Sequence, residues 1–262
     1  MADFGGSRCM KKEKRFAFFV RKSNEVYCSA CLESLQTLRV PLGYEVEIFT
    51  LAAEKPYAEQ VNRALALSSA GFKIYINDDV CLVRPDMLAE ILQIFENKSI
   101  GMVGFMGSRS LPADGNVLGV EDKQGAFYIP MERNLSEMRF GENSTESLAD
   151  VRFVLPSLFA TQMDLSWDEV YETQYYAVLA QCRKFEEAGR RIVVSLAQDI
   201  WCAYQSRNIA FDAEEDDRTR FFARYHPYLN STESEGVQIT LYACGEGTTL
   251  PSWRGFSYPE GV

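Results

Sequence analysis

Strand-like and helix-like segments alternate four times in the first hundred or so residues of this chain, and that alternation limits its architecture more than any other feature. "RFAFFV" (15–20), "YEVEIFTL" (44–51), "FKIYI" (72–76) and "IGMVGF" (100–105) read as strands. Between them, helical spacing runs through residues 26–38, through "YAEQVNRALALSS" (57–69) and through "MLAEILQIFEN", the last opened by Pro85 and Asp86. Short connections of this kind force a mainly parallel sheet with helices on its faces, because parallel neighbours need a crossover between them. Ligands of such sheets sit outside the carboxyl ends of the strands. The third strand ends at such a place in "NDDV", residues 77–80. Adjacent carboxylates repel each other and are costly to desolvate unless something positive compensates them.

Beyond residue 105 the pattern changes. "MGSRSLPADGNVLG" reads as a long mobile loop, "AFYIPM" and "VRFVLPSLFATQ" as further strands, and 132–149 shows no periodicity. Ser166 and Glu169 stand at capping-box spacing ahead of a long apolar pattern that stops at Gly189, which predicts a helix over 166–188. "RRIVVSL" reads as the final strand, and the chain beyond Pro227 as a loosely packed tail. The expected organisation is one domain over 15–226, with a first half at 15–106, a second at 107–226, and extensions at 1–14 and 227–262.

A formal net charge of −10 argues against a nucleic-acid partner, whose phosphates require a surplus of Lys and Arg. The apolar stretch behind the N-terminus is too short for a signal-peptide core or a membrane span, so a cytoplasmic protein that is not integral to a membrane is expected. Seven cysteines, an odd number, suggest reduced thiols rather than a disulfide framework. Cys28 and Cys31 have CxxC spacing, yet a zinc site would want a second pair of ligands, and His226 is the single histidine. Cys31 continues the apolar series Leu32, Leu35 and Leu38, so both thiols are expected on a buried helix face.

At the acidic corner, Asp78 and Asp79 suit a hard divalent cation, Mg²⁺ or Mn²⁺, which would in turn hold a diphosphate. The alternative at that spacing is a solvated turn or a helix cap. Val20, Arg21 and Lys22, where the first strand ends, offer a place for a base or phosphate. Asn62 faces the same crevice or is an ordinary exposed helical Asn; Asp164 serves a second site or a turn. Glu169 is a general-base candidate if it reaches an acceptor hydroxyl, and a capping residue otherwise. Trp167 and Trp201 are either a sugar-stacking wall or core. A Walker loop, a GxGxxG after a strand, HExxH and GxSxG are all missing from the sequence, which removes the main support for several common enzyme classes.

In order along the chain, "YCSACLESLQTLRVPLGYEVEIF", "YAEQVNRALALSSAGFKIYINDDV", "IGMVGFMGSRSLPADG", "SLFATQMDLSW" and "EEAGRRIVVSLAQDIWC" resemble the glycosyltransferase-like family related to glycosyltransferase family 2, of the streptomycin-biosynthesis StrF type. The resemblance spans roughly residues 15–225. It implies a GT-A fold, in which a Rossmann-like nucleotide-binding half joins an acceptor half on a mixed, mainly parallel sheet. It also implies a nucleotide diphosphate sugar as donor, Mg²⁺ or Mn²⁺, and transfer to an acceptor hydroxyl. Asp79 matches the family's acidic residue after the third strand, and Asn62 the polar helix position ahead of it; Arg21 and Lys22 fall where the base is approached. The chain also departs from the pattern. Gln174 and Ala177 replace a His and an Asp on the long helix, and Tyr204 and Gln205 replace a His-Asp pair, leaving Glu169, Glu172 and Asp164 as substitutes for the missing base. Two readings follow: an inverting, metal-dependent glycosyltransferase, or a GT-A-like protein that binds a nucleotide-sugar or a protein partner without transfer.

Overall fold

The computed structural model describes residues 13–225 apart from 113, 132–133, 142–145, 197–198 and 207–213. His226, the tail at 227–262 and all but the last two residues of the extension expected at 1–14 lie outside the described residues. The elements, in chain order, begin with β1 (Glu13–Lys22), α1 (Glu25–Leu35), β2 (Glu45–Ala52), α2 (Tyr57–Leu67), β3 (Ala70–Asn77), β4 (Val80–Leu82), α3 (Met87–Ile94), β5 (Ile100–Gly104) and β6 (Met106–Ser108). They continue with β7 (Lys123–Pro130), β8 (Leu135–Phe140), β9 (Leu148–Val151), β10 (Phe153–Val154), β11 (Leu158–Thr161), α4 (Gln174–Glu187), β12 (Arg191–Ser195), β13 (Cys202–Tyr204) and α5 (Glu215–Tyr225).

The strands form two sheets. The larger has the order β2-β1-β3-β11-β5-β12-β9. β2, β1, β3, β5 and β12 point one way, while β11 and β9 run against their neighbours. β1 is the strand the sequence marks most clearly: Phe16 to Val20 are all sealed from solvent, as a strand covered on both faces requires. Its neighbour β2 is the sheet edge and exposes Val46 and Ile48. The end of that edge is closed by Gln60 of α2, whose amide accepts from Ala52 N (2.8 Å) and donates to Ala52 O (2.9 Å). The smaller sheet has the order β10-β6-β7-β13-β4, with β8 also on β7. Gly125 of β7 has φ +118°, and a Cβ there would stand 2.1 Å from Phe105 O, so this crossing of strands admits only glycine.

α4 is the central helix, buried from Gln174 through Arg183. It starts eight residues later than Ser166, because Asn62 grips the main chain of Trp167: Asn62 Oδ1 accepts from Trp167 N (2.8 Å) and Nδ2 donates to Trp167 O (3.1 Å). The Trp167 ring then packs on Tyr57 and Tyr75, which holds residues 166–173 out of the helix. The helix is capped instead by Asp217 of α5, which accepts from Thr173 N (2.7 Å), Thr173 Oγ1 (2.7 Å) and Glu172 N (3.2 Å).

Three other expectations change. The aperiodic stretch 132–149 contains β8 and the start of β9. The segment after β5 is pinned rather than mobile: Leu111 and Val117 are core residues, and Val117 N donates to Tyr175 Oη (2.9 Å). "RRIVVSL" is not the last strand, since β13 follows it. Cys28 and Cys31 do lie on the buried face of α1, and the five described cysteines are free thiols. No helix among the described residues is long and apolar enough to cross a membrane.

Candidate functional site

Asp78 and Asp79 are the whole link between β3 of the larger sheet and β4 of the smaller one. A cavity of about 210 Å³ opens over this link, floored by Asn77, Asp78 and Asp79. One wall is Arg21, Ser23 and Tyr27, from the end of β1 and the start of α1. The opposite wall is Pro156 and Ser157 before β11, with Gln174 and Tyr175 at the start of α4.

The two aspartates have different tasks. Asp78 is 2 % exposed, and both its carboxylate oxygens are engaged: Oδ2 accepts from Ser23 N (2.6 Å) and Asn24 N (2.8 Å), and Oδ1 from Ser23 Oγ (2.8 Å). It therefore fixes the β1–α1 turn, in which Asn24 caps α1 by accepting from Val26 N and Tyr27 N. Asp79 is the reverse case, because its Oδ1 is buried without a hydrogen-bond partner. Burial, then the charge of Asp78, pushes its carboxyl up to about 6, against a smaller opposing pull from its own backbone N–H and Arg21. An orphaned, desolvated carboxylate oxygen beside an arginine is what a hard cation would satisfy. Among the described residues, no three His, Cys, Asp or Glu side chains converge on one point. Any cation at Asp79 would thus take most of its ligands from water and from a bound phosphate, the usual habit of Mg²⁺.

Of the four positions that depart from the family pattern, Ala177 is a buried core residue of α4, and the other three are filled by neutral donors. Gln174 Nε2 donates to Asn77 Oδ1 (2.7 Å) and Pro156 O (3.1 Å). Gln205 Nε2 donates to Asp78 O (2.7 Å) and Tyr27 O (3.0 Å), and Gln205 N to Asp79 O (2.7 Å). Tyr204 Oη donates to Ser157 Oγ (2.8 Å); burial, with Asp79's charge, holds the phenol well above its ordinary value, so it stays protonated.

Of the residues singled out in the sequence, the structure brings Arg21, Asp78, Asp79 and Gln174 to the cavity. The others have different surroundings. The Val20 side chain is in the core, and Lys22 pairs with Glu25 (2.5 Å). Asn62 holds Trp167 and also donates to Glu169 Oε1 (2.7 Å), so this Asn and this Glu clasp each other rather than line the cavity. Asp164 is ion-paired with Lys73 Nζ at 2.6 Å. Glu172 is exposed, two residues before Gln174. Trp167 and Trp201 are both buried, Trp201 donating from Nε1 to Glu90 Oε2 (2.8 Å), and neither lines the cavity. Asn77, Tyr27, Ser157 and Tyr175 line it without having been singled out as ligand contacts. Asn77 carried a local signal, as the polar residue that ends the third strand; the other three are placed by tertiary contacts.

Among solved structures, the chain is similar to the mannosyltransferase PcManGT from Pyrobaculum calidifontis in complex with GDP-Man and Mn²⁺, at TM-score 0.50 and 14% identity over 86% of this chain and 68% of that one. It is also similar to S. aureus TarS 1–349 in complex with UDP-GlcNAc, at TM-score 0.49 and 13% identity over 84% of this chain and 68% of that one. The two sheets, with the acidic link between them, make this a GT-A fold. Residues 17–225 match the family described as "Glycosyltransferase like family", and the chain belongs to it. No curated protein matches the sequence.

Proposed function

We propose that the protein is a glycosyltransferase that binds a nucleotide diphosphate sugar over the Asp78–Asp79 link and transfers the sugar to an acceptor hydroxyl with inversion. The observation that carries this reading is the orphaned Oδ1 of Asp79, on the floor of a cavity at a strand end, in a chain of this family. Asp79 would hold Mg²⁺ or Mn²⁺, and Arg21 would face the phosphates. A bound cation would supply charge neutralisation of the departing diphosphate. Asp78 orients the β1–α1 turn, and with it Ser23 and Tyr27, toward the nucleotide. Asp164 and Glu169 are engaged with Lys73 and Asn62, which leaves Glu172 as the carboxylate we assign to take the acceptor's proton. We place the chain in the StrF type of its family on its five ordered sequence stretches, and in the cytoplasm on the free thiols of its five described cysteines.

A second reading is favoured by one observation: Gln174 and Gln205, where titratable groups were expected, spend their amide hydrogens on neighbouring oxygens. On that reading the protein binds the donor without transfer. Incubation with Mn²⁺ and a panel of nucleotide-sugars decides between them. Release of nucleoside diphosphate that is lost in Glu172→Gln supports transfer. Thermal stabilisation without release supports binding alone, and neither effect with any donor refutes both.

A further inference from the structure

Resting on nucleotide binding at the Asp79 corner, we propose that Gln174 and Gln205 are positioning residues that brace Asn77-Asp78-Asp79 from its two sides and hold that corner in shape for a nucleoside diphosphate bound through a divalent cation. An amide nitrogen has two hydrogens to give. Gln174 gives both, to the Asn77 side chain and to Pro156 O; Gln205 gives both, to Asp78 O and Tyr27 O. The Gln205 main chain adds a bond to Asp79 O, so carbonyl groups of both aspartates are tied to one residue.

The two braces come from distant elements. Gln174 opens α4, whose start is locked by the buried Asp217, and Gln205 follows β13. Each joins the floor of the cavity to one of its walls: Gln174 ties Asn77 to Pro156, and Gln205 ties Asp78 to Tyr27. Rotation of the peptide units at 78 and 79 would swing the Asp79 carboxylate, and these bonds oppose that rotation. The requirement is chemical as well as steric. A carboxylate of the same shape donates nothing: at 174 it would face the Asn77 amide oxygen and the Pro156 carbonyl, and at 205 the Tyr27 and Asp78 carbonyls, so glutamate fails where glutamine serves.

The test compares Gln174→Glu and Gln205→Glu with the unmodified chain, measuring the Kd of GDP and of UDP with Mn²⁺ by calorimetry, and the melting temperature without ligand. The unmodified chain should bind at least one of the two, and each variant should weaken that binding by ~10–100-fold, the usual cost of losing a group that orients a metal ligand. Gln205→Met, which keeps the length of the side chain without its donors, should weaken binding in the same way and serves if a glutamate variant fails to fold. Variants that melt earlier but bind with unchanged Kd would overturn the brace and leave a merely structural role. No binding of either nucleotide by the unmodified chain would overturn the nucleotide reading itself, and the brace with it.

Discussion

Replacing Asp79 by Asn should make the ligand-free protein more stable while removing its capacity to bind Mn²⁺ with a nucleotide. The lift of this carboxyl from an ordinary value near 4 to about 6 corresponds to ~3 kcal/mol at about 1.4 kcal/mol per unit. Asp79 is partly exposed, so screening trims the figure to ~2 kcal/mol. The sign follows from proton occupancy. Below about pH 4 both folded and unfolded chains hold the proton; between about pH 4 and 6 the folded chain keeps a proton that the unfolded one has released, so stability falls as pH rises; above about pH 6 the full cost stands. Asn is uncharged at every pH. The variant should therefore gain ~2 kcal/mol at about pH 7.5, or ~4–8 °C in Tm for a chain of this size, and the gain should vanish near pH 4. Urea unfolding in the presence of a chelator, at both pH values, measures it. A variant no more stable than the parent at about pH 7.5, or a gap of equal size at both, would refute the claim that the native carboxylate is desolvated and uncompensated.

Asp78→Ala acts in the opposite direction: three donors of Ser23 and Asn24 lose their acceptor, water reaches this exposed turn only in part, and a loss of ~3 kcal/mol in urea unfolding is expected. Asp164→Asn removes one anionic partner of the Lys73 ammonium, which is 1 % exposed and keeps its bond to Ala70 O, and should cost ~2 kcal/mol. In a donor-hydrolysis or transfer assay near neutral pH, the surviving folded Asp164→Asn protein should keep its turnover, because its carboxylate belongs to that ion pair.

The parts of the fold that could be read from the sequence are those governed by local period. The all-apolar run of β1, the β–α alternation through β5 and the break at Asn77-Asp78-Asp79 are each visible within a few residues of sequence. The parts that could not are set by partners far along the chain. A capping-box spacing at Ser166 and Glu169 is a local rule, and it is overridden by Asn62, 105 residues from Trp167, which draws Glu169 to itself and lets Asp217 take over the cap. The division of labour between Asp78 and Asp79 was equally hidden, since it depends on which of two adjacent carboxylates meets the N–H groups of the turn at Ser23. β8 and β9 carry little signal in the sequence because they are short, 6 and 4 residues, and their pairing is with β7 and β12.

β11 lies between β3 and β5, although it comes more than fifty residues after β5 in the chain. During synthesis, β1, β2 and β3 can associate as soon as they emerge, but β5 has no place beside them until residues 158–161 have left the ribosome. The nascent chain must therefore carry an open flank on β3 through much of its translation. Truncations that stop before β11 should behave as sticky, chaperone-dependent fragments rather than as a smaller folded unit.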